Sequence, residues 1–204
     1  MQFFDLKTQL NSFPIFTKTD IGKIDPGFHD QRLSEWQKKG YIKKIRQGFY
    51  IFSDSIIDQE RLFVISNKIY QPSYISLEMA LSMYNLIPEA TYAITSVSSR
   101  RSNQFKTIIG TFMYKYIKPR LMFGYVLKEN TNNSYLIAEI EKAILDYFYL
   151  HPEIRNNKDF DSLRINKQEL SRQLDTTKLN QYLTLFKNNN LANRINNLLA
   201  YIKK

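Results

Sequence analysis

Gln31, Ser34 and Lys38 are three polar residues spaced so that one helix would carry them on one side. On a wheel of about 100° per residue, Leu33 and Trp36 mark the buried side, and the polar three point away from it, with Glu35 at the margin. Side chains of this reach, mixed in donor and acceptor character, suit the paired hydrogen bonds that read base edges in a DNA major groove. Lys38, Lys39, Lys43, Lys44 and Arg46 cluster at the end of that helix and just beyond it. Cations at that density suit phosphates, which set register and supply most of a duplex binder's affinity. A small helix–hairpin unit with a solvated basic face has the same composition, so burial must separate the two readings.

The elements that would position these side chains lie in residues 28–52, FHDQRLSEWQKKGYIKKIRQGFYIF. The first part, to Lys39, has helical spacing and stops at Gly40, as helices do when glycine follows the last turn. The second part, Tyr41 to Phe52, is rich in Ile, Tyr and Phe and is interrupted by Arg46-Gln47-Gly48, which predicts a β-hairpin with glycine in its loop. Upstream, residues 3–12 predict a helix with Phe3, Leu6 and Leu10 on one side, ended by Pro14. Phe16 is placed to pair with the hairpin. Thr17-Lys18-Thr19-Asp20-Ile21-Gly22 predicts a short helix with a threonine cap. Asp25-Pro26-Gly27 predicts a turn in which Asp25 and Pro26 also open the third helix. The order is helix, strand, helix, turn, helix, hairpin, which is that of a winged helix-turn-helix.

The chain has 204 residues, enough for one large or two small domains, and its 43% hydrophobic content argues against global disorder. Cysteine is absent, which excludes disulfides, thiolate metal sites and cysteine nucleophiles and fits a reducing compartment. The start, MQFFDLKTQLNSF, lacks the pattern of a signal peptide, and no apolar run nears the ~18 residues of a membrane span, so a cytoplasmic protein with no membrane partner is expected. Net charge is +10, distributed as +4 over residues 1–53, +1 over 54–150 and +5 over 151–204. A basic excess at both ends of a near-neutral middle suggests an anionic partner, nucleic acid first.

Beyond Ser53-Asp54-Ser55, a polar boundary, the expected elements are a helix over 58–70, a short helix capped by Ser76, antiparallel strands at 92–97, 110–117 and 121–127, a short strand at 135–137, and a helix over 138–150. Asn166 to Glu169 has the pattern of a capping box, and two further helices follow. The expected fold is α+β: a winged helix over 1–53, then an α+β domain over 54–204 whose core is 54–150 and whose helical extension is 151–204.

Catalytic constellations are sparse. The two histidines, His29 and His151, are far apart; His29 falls near the buried side of its helix and His151 at a helix end, so neither marks a zinc site. Glu139, Glu141 and Asp146 are candidates for a metal-dependent nuclease site, but two-metal chemistry wants carboxylates converging from strand ends, and on one helix Glu139 and Asp146 share a face that Glu141 does not, so a solvated face is expected. No phosphate-cradling glycine loop and no nucleophile elbow occurs, so no catalytic residue, metal or cofactor is expected. Arg100 and Arg101, in the loop Ser98–Ser102, could hold phosphate or a partner's acidic patch, with Lys106 extending the same surface. In the tail, Arg172, Lys178, Lys187, Arg194, Lys203 and Lys204 suit the outer faces of packed helices.

The segments WQKKGYIKKIRQGFYIF, YISLEMALSMYNLIPE, ITSVSSRRSNQFKTIIGTFMYKYI and IAEIEKAILDYFYL, in this order, resemble the AbiEi-type antitoxin and transcriptional regulator family. The resemblance spans roughly residues 15–150, and its most specific parts are the helices at Ser76–Leu81 and Glu141–Asp146 and the loop Thr95–Arg101. It implies a repressor that binds inverted repeats at its own promoter and counteracts a nucleotidyltransferase toxin with or without direct contact; two or more heads on inverted half-sites of double-stranded DNA, for which a homodimer is one arrangement, would occlude the promoter. The rival readings are a stand-alone regulator or protein-interaction module and, behind them, a metal-dependent nuclease. Taken together, the residues expected at DNA are Thr17, Lys18, Thr19, Gln31, Ser34, Lys38, Lys39, Lys43, Lys44, Arg46 and Gln47, with Arg100, Arg101 and Lys106 as an effector surface.

Overall fold

A computed structural model describes residues 1–88, 92–130 and 133–203. The chain opens with α1 (Phe3–Leu10), β1 (Phe16–Thr17), α2 (Lys18–Ile24), α3 (Gln31–Lys38), β2 (Ile42–Arg46) and β3 (Phe49–Phe52). The strands form an antiparallel sheet in the order β1-β3-β2, with Phe16 opposite Tyr50 as expected. Thr17 caps α2 through a reciprocal box with Asp20. Gly40 and Gly48 sit at φ of +73° and +83°, the left-handed region that the helix end and the hairpin loop require. Asp25 and Pro26 do not open α3. Asp25 ends α2, and α3 starts only at Gln31, because the 25–28 turn is closed by its own hydrogen bond from Phe28 N–H to Asp25 O.

Strand alternation gives this small sheet two apolar faces. Phe16, Ile42, Tyr50 and Phe52 pack with Leu6, Leu10, Ile21, Leu33 and Trp36 of the three helices. Ile15, Ile45 and Ile51, with Phe49 alongside, point the other way into the main core of the protein.

That core surrounds a second sheet. Its elements are α4 (Gln59–Ile69), β4 (Ser73–Ile75), α5 (Leu77–Met83), β5 (Ala93–Ser98), β6 (Asn103–Thr107), β7 (Gly110–Tyr116), a 3-10 turn at Pro119–Leu121, β8 (Tyr125–Asn130), β9 (Asn133–Ala138) and α6 (Ile140–Leu150). The helices α7 (Asn157–Ser162), α8 (Lys167–Gln173), α9 (Thr176–Phe186) and α10 (Asn189–Ile202) complete the chain. The protein is thus mixed α+β. The six strands run β6-β7-β5-β4-β9-β8. Helix α4 covers one face, where Ser66 Oγ meets Ser96 Oγ at 3.0 Å and Phe63 packs on Tyr135. Helices α5 and α6 cover the other.

The expected antiparallel sheet is corrected to a mixed one, since β5 pairs with β7 and β4 with β9 in parallel. The β5–β7 pairing follows from β6, a strand that the sequence pattern does not announce. Residues 99–102 carry the chain past the end of the position that β7 later fills, so β7 returns between β5 and β6. β6 is NQFKT, an edge strand whose polar composition suits exposure and hides its strand character. The strand expected from Leu121 begins only at Tyr125, after Gly124 at φ +66°. Lys204 lies outside the described residues. Among those described, no helix is long and apolar enough to cross a membrane.

The acidic face expected on α6 is overturned. Asp146 and Lys142 are fully buried and paired, one turn apart. Asp146 also accepts hydrogen bonds from Tyr74 Oη at 2.8 Å and Ser76 Oγ at 3.0 Å, and Lys142 Nζ donates to Tyr74 Oη at 2.7 Å. Burial raises the Asp146 pKa and lowers that of Lys142, while their mutual attraction opposes both shifts. The wheel could not show this, because α6 is packed on several sides, by α5, α9, α10 and β9. Glu141 is also buried and accepts from Asp175 N–H at the start of α9. Glu139 receives Lys178 Nζ at 2.7 Å and Tyr182 Oη at 2.6 Å. Arg194, expected on an outer face, is buried and closes the end of α6 by donating to Phe148 O at 2.6 Å and His151 O at 3.0 Å.

Asp146→Ala strands the Lys142 ammonium in the core and should cost about 3–5 kcal/mol in urea unfolding. Asp146→Leu combined with Lys142→Met should recover most of that. Burial works against Glu139 ionisation, but the Lys178 and Tyr182 hydrogen bonds and the Lys178 charge hold its carboxyl below the usual value of 4.5. Its contribution is therefore complete above that value and lost as pH falls through the lowered one. Glu139→Gln should lose about 1 kcal/mol at neutral pH. Parallel urea titrations should show the gap to the parent protein closing below pH 4.5.

Candidate functional site

The polar side of α3 is open. Gln31, Ser34, Glu35 and Lys38 are exposed, and Leu33 and Trp36 are buried. Trp36 is fixed between Phe3 at 5.6 Å and Phe28 at 5.4 Å, which sets the rotation of the helix about its axis. Lys39 follows at the helix end, exposed. On β2, Lys43 and Lys44 are both exposed between buried Ile42 and Ile45, and a register shift between Lys44 and Arg46 sits where the alternation breaks. Lys43 Nζ reaches Ser53 O at 3.4 Å. Gln31, Ser34, Lys38, Lys39 and Lys44 make no side-chain hydrogen bond or ion pair among the described residues. Gln47 is exposed in the hairpin loop beside Gly48.

Other expected members fare differently. The Thr17 hydroxyl is occupied by its cap, donating to Asp20 Oδ2 at 2.7 Å and accepting from Asp20 N–H at 3.2 Å. Lys18, exposed, is paired with Asp30 at 2.6 Å, so part of its charge is neutralised at the front of α3. Thr19 is exposed. His29, expected toward the core, is exposed, because α3 begins two residues later and the wheel does not extend to it. His151 ends α6, with Nδ1 at 2.9 Å from Tyr147 O.

Arg46 is the principal correction. The hairpin reading gave it to phosphate, but its guanidinium is turned inward. It donates to Ile69 O and lies 4.2 Å from the centroid of Phe105 and 5.9 Å from that of Tyr70. Strands β2 and β6, each at the edge of its own sheet, approach one another here. Arg46 therefore fastens the hairpin to the second sheet, a role invisible without knowing that Ile69, Tyr70 and Phe105 converge. Arg61 of α4 holds the opposite side, donating to Phe13 O and Pro14 O at 3.2 Å each.

Arg100 and Arg101 are exposed in the turn between β5 and β6. Lys106 is exposed too, but it follows Phe105 on the strand and so points to the opposite face of the sheet. The expected three-residue surface is thus split. The carboxylates weighed for catalysis do not converge: Glu139 turns to α9, Glu141 to the α9 start, and Asp146 into the core.

Arg46→Ala removes a stacked guanidinium and a hydrogen bond and should cost about 1–2 kcal/mol. Amide hydrogen exchange should show loss of protection concentrated in β2, β3 and β6, with α10 unchanged.

Comparison with models of known families finds no match for this chain, and comparison with curated proteins finds none either.

Proposed function

We propose that the chain is a cytoplasmic DNA-binding repressor of the antitoxin type. In this reading, residues 1–53 are a winged helix-turn-helix: α2 and α3 form the helix pair, α3 enters the major groove, and the β2–β3 hairpin is the wing. The observation that carries the proposal is the open face of α3, where Gln31, Ser34 and Lys38 are exposed and make no side-chain hydrogen bond or ion pair among the described residues, with Lys43 and Lys44 exposed on the adjoining strand β2. A buried polar face there would have sunk it. The order of elements and the β1-β3-β2 sheet support the same reading. Two copies on inverted half-sites would occlude the promoter. The resemblance to AbiEi-type antitoxins extends the proposal to residues 54–204, which would counteract a nucleotidyltransferase toxin. A stand-alone regulator shares the architecture, and co-expression with the product of the adjacent gene separates the two: an antitoxin restores growth, whereas a stand-alone regulator does not.

Two classes of variant should behave differently in anisotropy titrations over a range of salt. Lys44→Ala should weaken binding to every duplex alike and reduce the log–log salt slope by about 0.9. Gln31→Ala should relax sequence choice by roughly 1–3 kcal/mol, with the slope unchanged. Equal losses on promoter and random duplexes for both variants would overturn the division of roles.

A further inference from the structure

We propose that Arg100 and Arg101 form a second phosphate-binding patch, outside residues 1–53, that extends the grip on duplex DNA beyond the segment read by α3. The inference rests on the duplex-binding reading above. Its first support is position. The Arg100 guanidinium lies 4.7 Å from the centroid of Tyr70, and the Arg46 guanidinium packs on the same ring at 5.9 Å. The two can be no farther apart than the sum of these distances. The turn therefore stands beside the hairpin that carries Lys43 and Lys44, and the fastening by Arg46 fixes one relative to the other.

The second support is rigidity. The turn crosses the end of β7 and is held from several directions. Ser98 Oγ donates to Pro72 O at 2.7 Å and accepts from Arg100 N–H at 3.1 Å. Tyr70 Oη donates to Arg101 O at 2.8 Å, and Ser102 Oγ accepts from Tyr116 N–H at 2.9 Å. Arg100 Nη1 reaches Gln71 O at 3.4 Å. The fold thus uses the Arg101 backbone and leaves its side chain to solvent.

The third support is charge. Lys7, Lys18, Lys142, Arg172 and Lys178 are each matched with a carboxylate. Arg100 and Arg101 have no such partner among the described residues. Two adjacent arginines on a fixed turn suit phosphate oxygens, which a guanidinium fork can engage in pairs. A duplex seated on α3 continues as an unbroken array of phosphates, about one charge per 1.7 Å of axis. A neighbouring rigid cationic turn meets that array without further ordering of the chain.

The test is hydroxyl-radical footprinting and salt-dependent anisotropy with a labelled duplex from the region upstream of the protein's own gene. Arg101→Ala, which removes no side-chain hydrogen bond or ion pair among the described residues, should lower the salt slope by about 0.9, and Arg100→Ala with Arg101→Ala by about 1.8. Both variants should lose protection only at the flank of the footprint, whereas Lys44→Ala should lose it in the inner segment. Arg100→Lys with Arg101→Lys should restore most of the slope. An unchanged slope and footprint for Arg101→Ala and the double alanine variant, with the parent protein still bound, would overturn the second patch alone. A parent protein that protects no segment would overturn the patch together with the role of α3.

Discussion

Strand β3 has to satisfy two cores at once. Tyr50 and Phe52 close the small core under α1, α2 and α3, whereas Phe49 and Ile51 face the main core. Each successive residue changes side, so a register slip of one position would reverse both sets. Residues 1–53 are consequently not a free head on a tether. Their sheet is a wall shared with the rest of the protein, and separation would expose Ile15, Ile45 and Ile51 to water. Burying side chains of that size is worth about 1.5–3 kcal/mol each. Arg46 at one side of the wall and Arg61 at the other fix its orientation by donating to the backbone carbonyls of Ile69, Phe13 and Pro14. The position of the α3 face relative to the second sheet follows from this wall.

The charges divide into two populations with different consequences. Buried or half-buried ones hold elements together: the Lys142–Asp146 pair of α6 bonds Tyr74 of β4, Lys178 joins Glu139 between α9 and α6, and Arg194 sits on the last carbonyls of α6. Desolvation makes their partners obligatory, since a lone charge in these places would be costly. The exposed ones on α3, the hairpin and the β5–β6 turn, Lys38, Lys39, Lys43, Lys44, Arg100 and Arg101, have no carboxylate partner among the described residues, and at most a backbone carbonyl or a ring engages them. A formal charge of +10 does not separate these populations, and the proposed DNA contacts use only the second.

Helix α6 shows why burial on several sides changes the chemistry of a sequence pattern. Its apolar stripe, Ile140, Ala143, Ile144, Tyr147 and Phe148, packs inward as its spacing implies, but α9 and α10 cover much of the remaining surface. Glu141, Lys142 and Asp146, polar by type, are therefore interior residues. Gly124 belongs to the same arrangement. A Cβ there would come within 2.8 Å of Tyr182 and 3.1 Å of Lys142, on a backbone already at φ +66°, so only glycine lets β8 begin against α6 and α9.

Local signals determined much of this protein. The helical spacing of Leu33 and Trp36 placed the polar face of α3 outward, the Thr17 cap and the glycines at 40 and 48 marked where elements start and turn, and Phe16 found its hairpin partner. Such features depend on residues a few positions apart, or on φ values that few side chains tolerate. What the tertiary structure decided involves residues far apart in the chain. The parallel pairing of β5 with β7 required β6, whose NQFKT sequence lacks a strand's apolar alternation because it lies at an edge. The inward turn of Arg46 required Ile69 and Phe105, and the interior place of Asp146 required Tyr74 and Ser76. A side chain's type says what it can bind, but only the surroundings that the fold brings to it determine whether that capacity is used inside the protein or left at its surface.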